Sequence, residues 1–126
     1  MDSINKINIS AFIIWLFTIS GILGILSSYQ DWFLKNTFLN LFVFFLILFI
    51  NISSKNKNVL YAFAIPFILG FIAEGLGANY GYIFGSYNYG ENLGFKIWNV
   101  PLIICLNWII LTVVTRDFVS RFIKHK

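Results

Sequence analysis

Long apolar runs separated by short polar stretches organise the chain. Residues 9–26 are eighteen consecutive positions without a charge, enough to cross most of a ~30 Å hydrocarbon core at ~1.5 Å per residue. Lys6 before this run and Ser27 and Ser28 after it would also suit a cleaved signal. The run exceeds the usual ~7–15 residues of such a signal, however, and Asp2 weakens its basic start. The pattern therefore predicts a first membrane span, in which Gly21 and Gly24 mark a close helix contact. A polar hinge over residues 29–35 carries Asp31, Trp32 and Lys35. A second span follows at 37–52, whose sixteen residues are slightly short, so Trp32 and Lys35 are expected at the interface. Phe38, Phe42, Phe45 and Phe49 recur there at helical spacing, an aromatic stripe for packing or lipid contact.

Residues 53–58, SSKNKN, form a tight polar connection that fits an antiparallel helix hairpin. A third span runs over 59–76, with Pro66 removing one backbone hydrogen bond and kinking it. Residues 78–99 are too polar and too glycine-rich for a span yet full of tyrosine, which predicts a structured loop or re-entrant cap. The apolar pattern resumes at 100–115, with Pro101 suited to a helix's first turn. The tail, 116–126, sets Phe118, Val119, Phe122 and Ile123 on one helical face and reads as an amphipathic extension in the headgroup region.

Composition agrees with this layout and adds an orientation. With 59% hydrophobic and 11% charged residues in 126, the chain is an integral membrane protein in one domain: an all-α bundle of about four transmembrane helices with a Gly/Tyr-rich loop between the third and fourth. Four spans put Lys6, Lys55, Lys57, Arg116, Arg121, Lys124 and Lys126 on one side, seven of the nine basic residues, against Lys35 and Lys96 on the other. This bias predicts both termini in the cytoplasm. The net charge of +4 is thereby explained by topology, and no basic groove for nucleic acid is visible. A lone Cys105 in an apolar run reads as packing, and His125 as a solvated tail residue.

Candidate chemistry concentrates in residues 70–108, which hold seven of nine glycines, four of six tyrosines and Glu74. Glu74 falls within a span, where carboxylates are costly enough to suggest function. Low polarity disfavours its charge, leaving a neutral acid that can donate a proton; the alternative is a helix-end carboxylate paired with Lys96. Tyr80, Tyr82, Tyr87 and Tyr89, with Trp98 and Trp108, supply rings that could stabilise a carbocation or simply form an interfacial aromatic belt. Asn79, Asn88, Asn99 and Asn107 could orient water, though an amide such as Asn107 also serves helix-to-helix hydrogen bonding. No Ser-His-Asp set, phosphate loop, dinucleotide fingerprint or zinc spacing is present. No cofactor or metal is therefore expected.

The order Glu74, Gly77, Gly81, Phe84-Gly85, Tyr87, Tyr89, Leu93-Gly94, Val100-Pro101-Leu102 and Trp108 resembles the central motif of the carotenoid biosynthesis membrane proteins. That family includes hydratases acting on gamma-carotene and bisanhydrobacterioruberin. Tyr80 stands where a threonine is common, and Ile83 and Cys105 where prolines are common. The resemblance implies a bacterial or archaeal cell membrane and a carotenoid or other isoprenoid lipid substrate. It also implies hydration of a terminal isoprenoid double bond. Glu74 would be the acid, Tyr80, Tyr87 and Tyr89 would share catalysis, and Phe84, Trp98, Asn107 and Trp108 would hold substrate. The phenylalanine stripe could then line a polyene channel. Members of this family usually continue into further helices, so the chain is expected to be a short homologue, a split subunit or a truncated product. Two other readings stand beside it: a small proton-coupled four-helix transporter, and an inactive subunit or fragment that needs a second membrane chain or a homo-oligomer.

Overall fold

The computed structural model describes residues 3–52 and 58–124. Within them the fold is all-α: α1 (Ser3–Ile25), α2 (Gln30–Lys35), α3 (Thr37–Asn51), α4 (Val59–Tyr80) and α5 (Leu102–Lys124). The only sheet among the described residues is a ladder of two residues a side, β1 (Lys96–Ile97) antiparallel to β2 (Val100–Pro101). Three helical stretches are long and apolar enough to cross a membrane: Asn5–Ile25, Val59–Tyr80 and Leu102–Ser120.

The predicted second span is the shorter one. α3 has 15 residues, or about 22 Å at 1.5 Å per residue. Only Asn36 separates it from α2, and the Asn36 N–H bonds to the Trp32 and Phe33 carbonyls, so the helical path is nearly continuous from Gln30. Trp32 and Lys35 lie exposed on that short extension.

Two boundaries differ from expectation for local reasons. α4 runs on to Tyr80 because its stop is Gly81, which adopts φ +71° and returns its N–H to the Gly77 carbonyl. The loop is therefore 81–99 rather than 78–99. At the other end, Val100 and Pro101 are strand, and α5 begins at Leu102. From there to Lys124 no glycine or proline interrupts the sequence. The tail is thus a continuation of α5 rather than a separate element, still showing exposed Phe118, Val119, Phe122 and Ile123.

The bundle is centred on α5, which packs against α4 on one side and α3 on another, while α1 packs on α3. The buried apolar residues Val100, Ile103, Cys105, Ile109 and Val113 all lie on or beside α5. Cys105, Ile109 and Val113, four apart, form its inward stripe. α4 answers with small residues: Gly70, Gly75 and Gly77 are buried, with Pro66 deeper in the same helix. A Cβ on Gly70 would come within 2.5 Å of the Trp108 ring.

α1 is loosely held. Gly24 packs against the Phe33 ring with no room for a Cβ, whereas Gly21 faces open space, so only one of the two glycines marks a close contact. Ser10 accepts a hydrogen bond from Asn51 Nδ2 at 2.9 Å, and Lys6 donates to the Ile50 carbonyl. The phenylalanine stripe on α3 has two destinations. Phe45 and Phe49 meet Phe63 of α4, at 5.9 and 6.3 Å between ring centres. Phe38 and Phe42, stacked 6.2 Å apart, line an apolar groove of about 370 Å³ with Phe67, Phe95, Leu102, Ile103 and Leu106.

The two ends of the bundle are chemically distinct. Asn51, Asn58 and Arg116 border one polar pocket, and Lys6 reaches the same end of α3. Lys35, the loop and Lys96 lie at the other end. The turn expected at 53–58 lies, apart from Asn58, outside the described residues, as do Lys55, Lys57, His125 and Lys126.

Candidate active site

Past Gly81 the chain makes a three-residue turn about Ile83, with Phe84 N–H donating to the Tyr82 carbonyl at 2.8 Å. Ile83 takes φ +70° there, a costly conformation for a β-branched residue. With Gly85 also at positive φ, the chain reverses and carries Tyr87 and Tyr89 back over the end of α4. Gly77 makes the approach possible, since a Cβ at that position would overlap the Tyr87 hydroxyl.

The return path is fastened at two points. Lys96 Nζ donates to the Tyr89 carbonyl and to Glu91 Oε1, each at 2.9 Å. Between β1 and β2, Trp98 and Asn99 both adopt positive φ, +50° and +61°, the requirement of the two-residue hairpin turn whose twist matches its strands. Asn79, on the last turn of α4, clasps that hairpin. Its Nδ2 donates to the Gly75 and Trp98 carbonyls at 2.8 and 2.9 Å, and its Oδ1 accepts from Asn99 Nδ2 at 2.7 Å. The Trp98 ring lies over Gly75, where a side chain would leave it no room.

These contacts close over Glu74, which is only 7% exposed. Tyr87 Oη and Tyr89 Oη both donate to Glu74 Oε2, at 2.6 and 2.7 Å. Trp108 Nε1, two turns into α5, donates to Glu74 Oε1 at 3.0 Å. Both carboxyl oxygens thus have partners, as a buried charge or acid requires. The tyrosine rings pack edge-on, 5.4 Å between centres. Burial first, then the hydrogen bond to Glu74 and its charge, pushes the Tyr87 phenol from 10.0 up to about 12. The same causes, in the same order, raise Tyr89 further. Both hydroxyls therefore stay protonated at any ordinary pH and act as donors.

The expected site residues divide into two groups. Glu74, Tyr87, Tyr89 and Trp108 come together. Tyr80 does not join them: it is 60% exposed, stacks on Tyr82 and meets Trp98 edge-on, because it precedes the Gly81 reversal that carries the later tyrosines inward. Phe84 is exposed and touches the site only through the Tyr87 ring, 6.5 Å away. Trp98 serves the hairpin and packs near Phe71 and Tyr80. Asn107 is half-buried, and its side chain makes no hydrogen bond among the described residues. Lys96 does not pair with Glu74; it binds Glu91 and the loop backbone instead. Asn79 and Asn99, candidates for orienting water, are taken up by the hairpin clasp. Gly77 was visible as a glycine one turn beyond the acid, but only the folded path of Tyr87 shows why it is bare.

The apolar groove is separate from this carboxylate. At ~100° per residue, Leu106 lies about 160° round α5 from Trp108, and Leu102 and Ile103 flank it on the same side. The groove and the acid therefore occupy opposite faces of α5.

The sequence pattern of carotenoid biosynthesis proteins matches residues 35–126, which takes in every residue of this site and leaves out nearly all of α1 and α2. The chain belongs to the carotenoid biosynthesis protein family. Nothing matches among curated proteins, and nothing among solved structures. Membership gives the chain a role in carotenoid biosynthesis, and its apolar helices suit a lipid-soluble isoprenoid substrate in a bilayer.

Proposed function

We propose that this membrane protein is a hydratase that adds water across a terminal isoprenoid double bond of a carotene. The observation that carries the reading is Glu74: one carboxyl group buried between two apolar helices, with three hydrogen-bond donors aimed at its oxygens. In the reaction the Glu74 carboxyl gives its proton to the less substituted alkene carbon. The π electrons form the new C–H bond, leaving a tertiary cation and a Glu74 carboxylate. The three donors point at the atoms where that negative charge develops, the arrangement by which preorganised sites lower a barrier. The rings of Tyr87, Tyr89 and Trp108 lie beside the same carboxyl group, and a cation held over one of their faces would be favoured. Water then adds to the cation and loses a proton back to Glu74, so the acid is regenerated.

Because the groove lies across α5 from the acid, the reacting end of the polyene would reach Glu74 from the side of the loop and α4. The charge bias supports an orientation in the cell membrane with the termini cytoplasmic and the loop outside. The test is Glu74→Gln in a host that makes lycopene or gamma-carotene. The variant should insert normally and yield no hydroxylated carotenoid; undiminished product would remove Glu74 from the chemistry.

A further inference from the structure

We infer that Trp108 is a positioning residue that confines the Glu74 proton to Oε2, among the tyrosine hydroxyls; this rests on Glu74 acting as the acid. The indole N–H is a donor only and can accept no proton. While Trp108 Nε1 stands 3.0 Å from Oε1, that oxygen must be an acceptor whether Glu74 is charged or neutral. A proton on the carboxyl group therefore has one place to sit. Oε2 faces Tyr87 Oη at 2.6 Å and Tyr89 Oη at 2.7 Å, and a phenol can reverse its role and accept. The neutral acid is satisfied on this side as well, with Oε2–H donating to one tyrosine while the other still donates to Oε2.

The indole is fixed in this role by its surroundings. Gly70 lies against its ring so closely that any side chain there would displace it. On proton transfer the O–H bond electrons remain on Oε2, where one phenol already donates and the other turns its O–H to donate as well, while the Oε1 contact is unchanged. Only one oxygen has to reorganise.

The experiment is infrared difference spectroscopy on the full chain in bilayers, reading the carbonyl stretch of the protonated Glu74, assigned by its loss in Glu74→Gln. With Oε1 as the hydrogen-bonded carbonyl oxygen, Trp108→Phe frees it and moves the band to higher frequency. Hydration activity then falls about tenfold, the low end for loss of one hydrogen bond to a charged group. Gly70→Ala, which pushes the indole aside without removing a donor, moves the band the same way and replaces Trp108→Phe if that variant does not insert. A Glu74 band that stays in place in the inserted variant overturns the positioning role and leaves the acid reading intact. No protonated Glu74 band in the wild type overturns both.

Discussion

Tyr87 and Tyr89 donate to the same oxygen, so their removal tests whether the donors serve the charge that develops on Glu74. Tyr87→Phe and Tyr89→Phe each delete one hydroxyl and keep the ring and its edge-on packing at 5.4 Å. Hydrogen bonds to a charged group contribute about 1.5–3 kcal/mol. At about 1.4 kcal/mol per tenfold in rate, each variant should lose roughly 10- to 150-fold in hydration. The contacts are short, 2.6 and 2.7 Å, so neither should fall below that range. Because both bonds end on Oε2, the remaining donor can tighten when one is lost. The double variant should then differ from the product of the single effects. The assay is hydroxylated product formed by isolated membranes, normalised to inserted protein. Single variants within twofold of wild type would refute the role of the donors; fully multiplicative effects would refute their sharing one oxygen.

Two further outcomes follow from the same geometry. The Tyr87 phenol is raised from 10.0 to about 12, so the unfolded chain loses this proton near pH 10 while the folded one keeps it to about 12. That contribution to stability is complete below pH 10 and falls away as pH rises through this window. The difference in phenolate absorbance between wild type and Tyr87→Phe should show it, and a Tyr87 titration at its ordinary value would count against the contact. Gly77→Ala should insert as well as wild type, since alanine favours helix by up to ~1 kcal/mol over glycine. It should nevertheless lose about as much activity as Tyr87→Phe, because the new Cβ displaces the Tyr87 hydroxyl. Full activity in that variant would show that the close approach is not needed.

The long helices were legible because they are written as long uncharged runs, and the acid was legible because it interrupts one. What composition could not rank were the tyrosines. Tyr80, Tyr87 and Tyr89 are equivalent on paper. Their fates separate at Gly81, where the left-handed cap and the strained turn at Ile83 send the chain back over α4 and leave Tyr80 outside. The hairpin was hidden for a related reason. Such turns are ordinarily flagged by Asn-Gly or Asp-Gly, and here Trp98 and Asn99 take the positive φ values, held by Asn79 from nineteen and twenty residues away. The alternative pairing of Lys96 with Glu74 rests on opposite charge alone. The tyrosine and indole donors already fill the acid's oxygens, and Lys96 finds the exposed Glu91 instead. The continuous α5 was readable in principle, since no breaker separates Leu102 from Lys124; the change from apolar to amphipathic pattern suggested a boundary that the backbone does not make.

The central claim, that Glu74 protonates an alkene and water completes the addition, is tested most directly by isotope tracing. Membranes bearing the chain are given an acyclic-ended carotene in deuterated water enriched in oxygen-18, and the product is examined by mass spectrometry. The account predicts a tertiary alcohol whose oxygen comes from water, with one solvent deuterium on the neighbouring carbon and neither label incorporated by Glu74→Gln. An oxygen atom drawn from dioxygen, or an alcohol without carbon-bound deuterium, would contradict it.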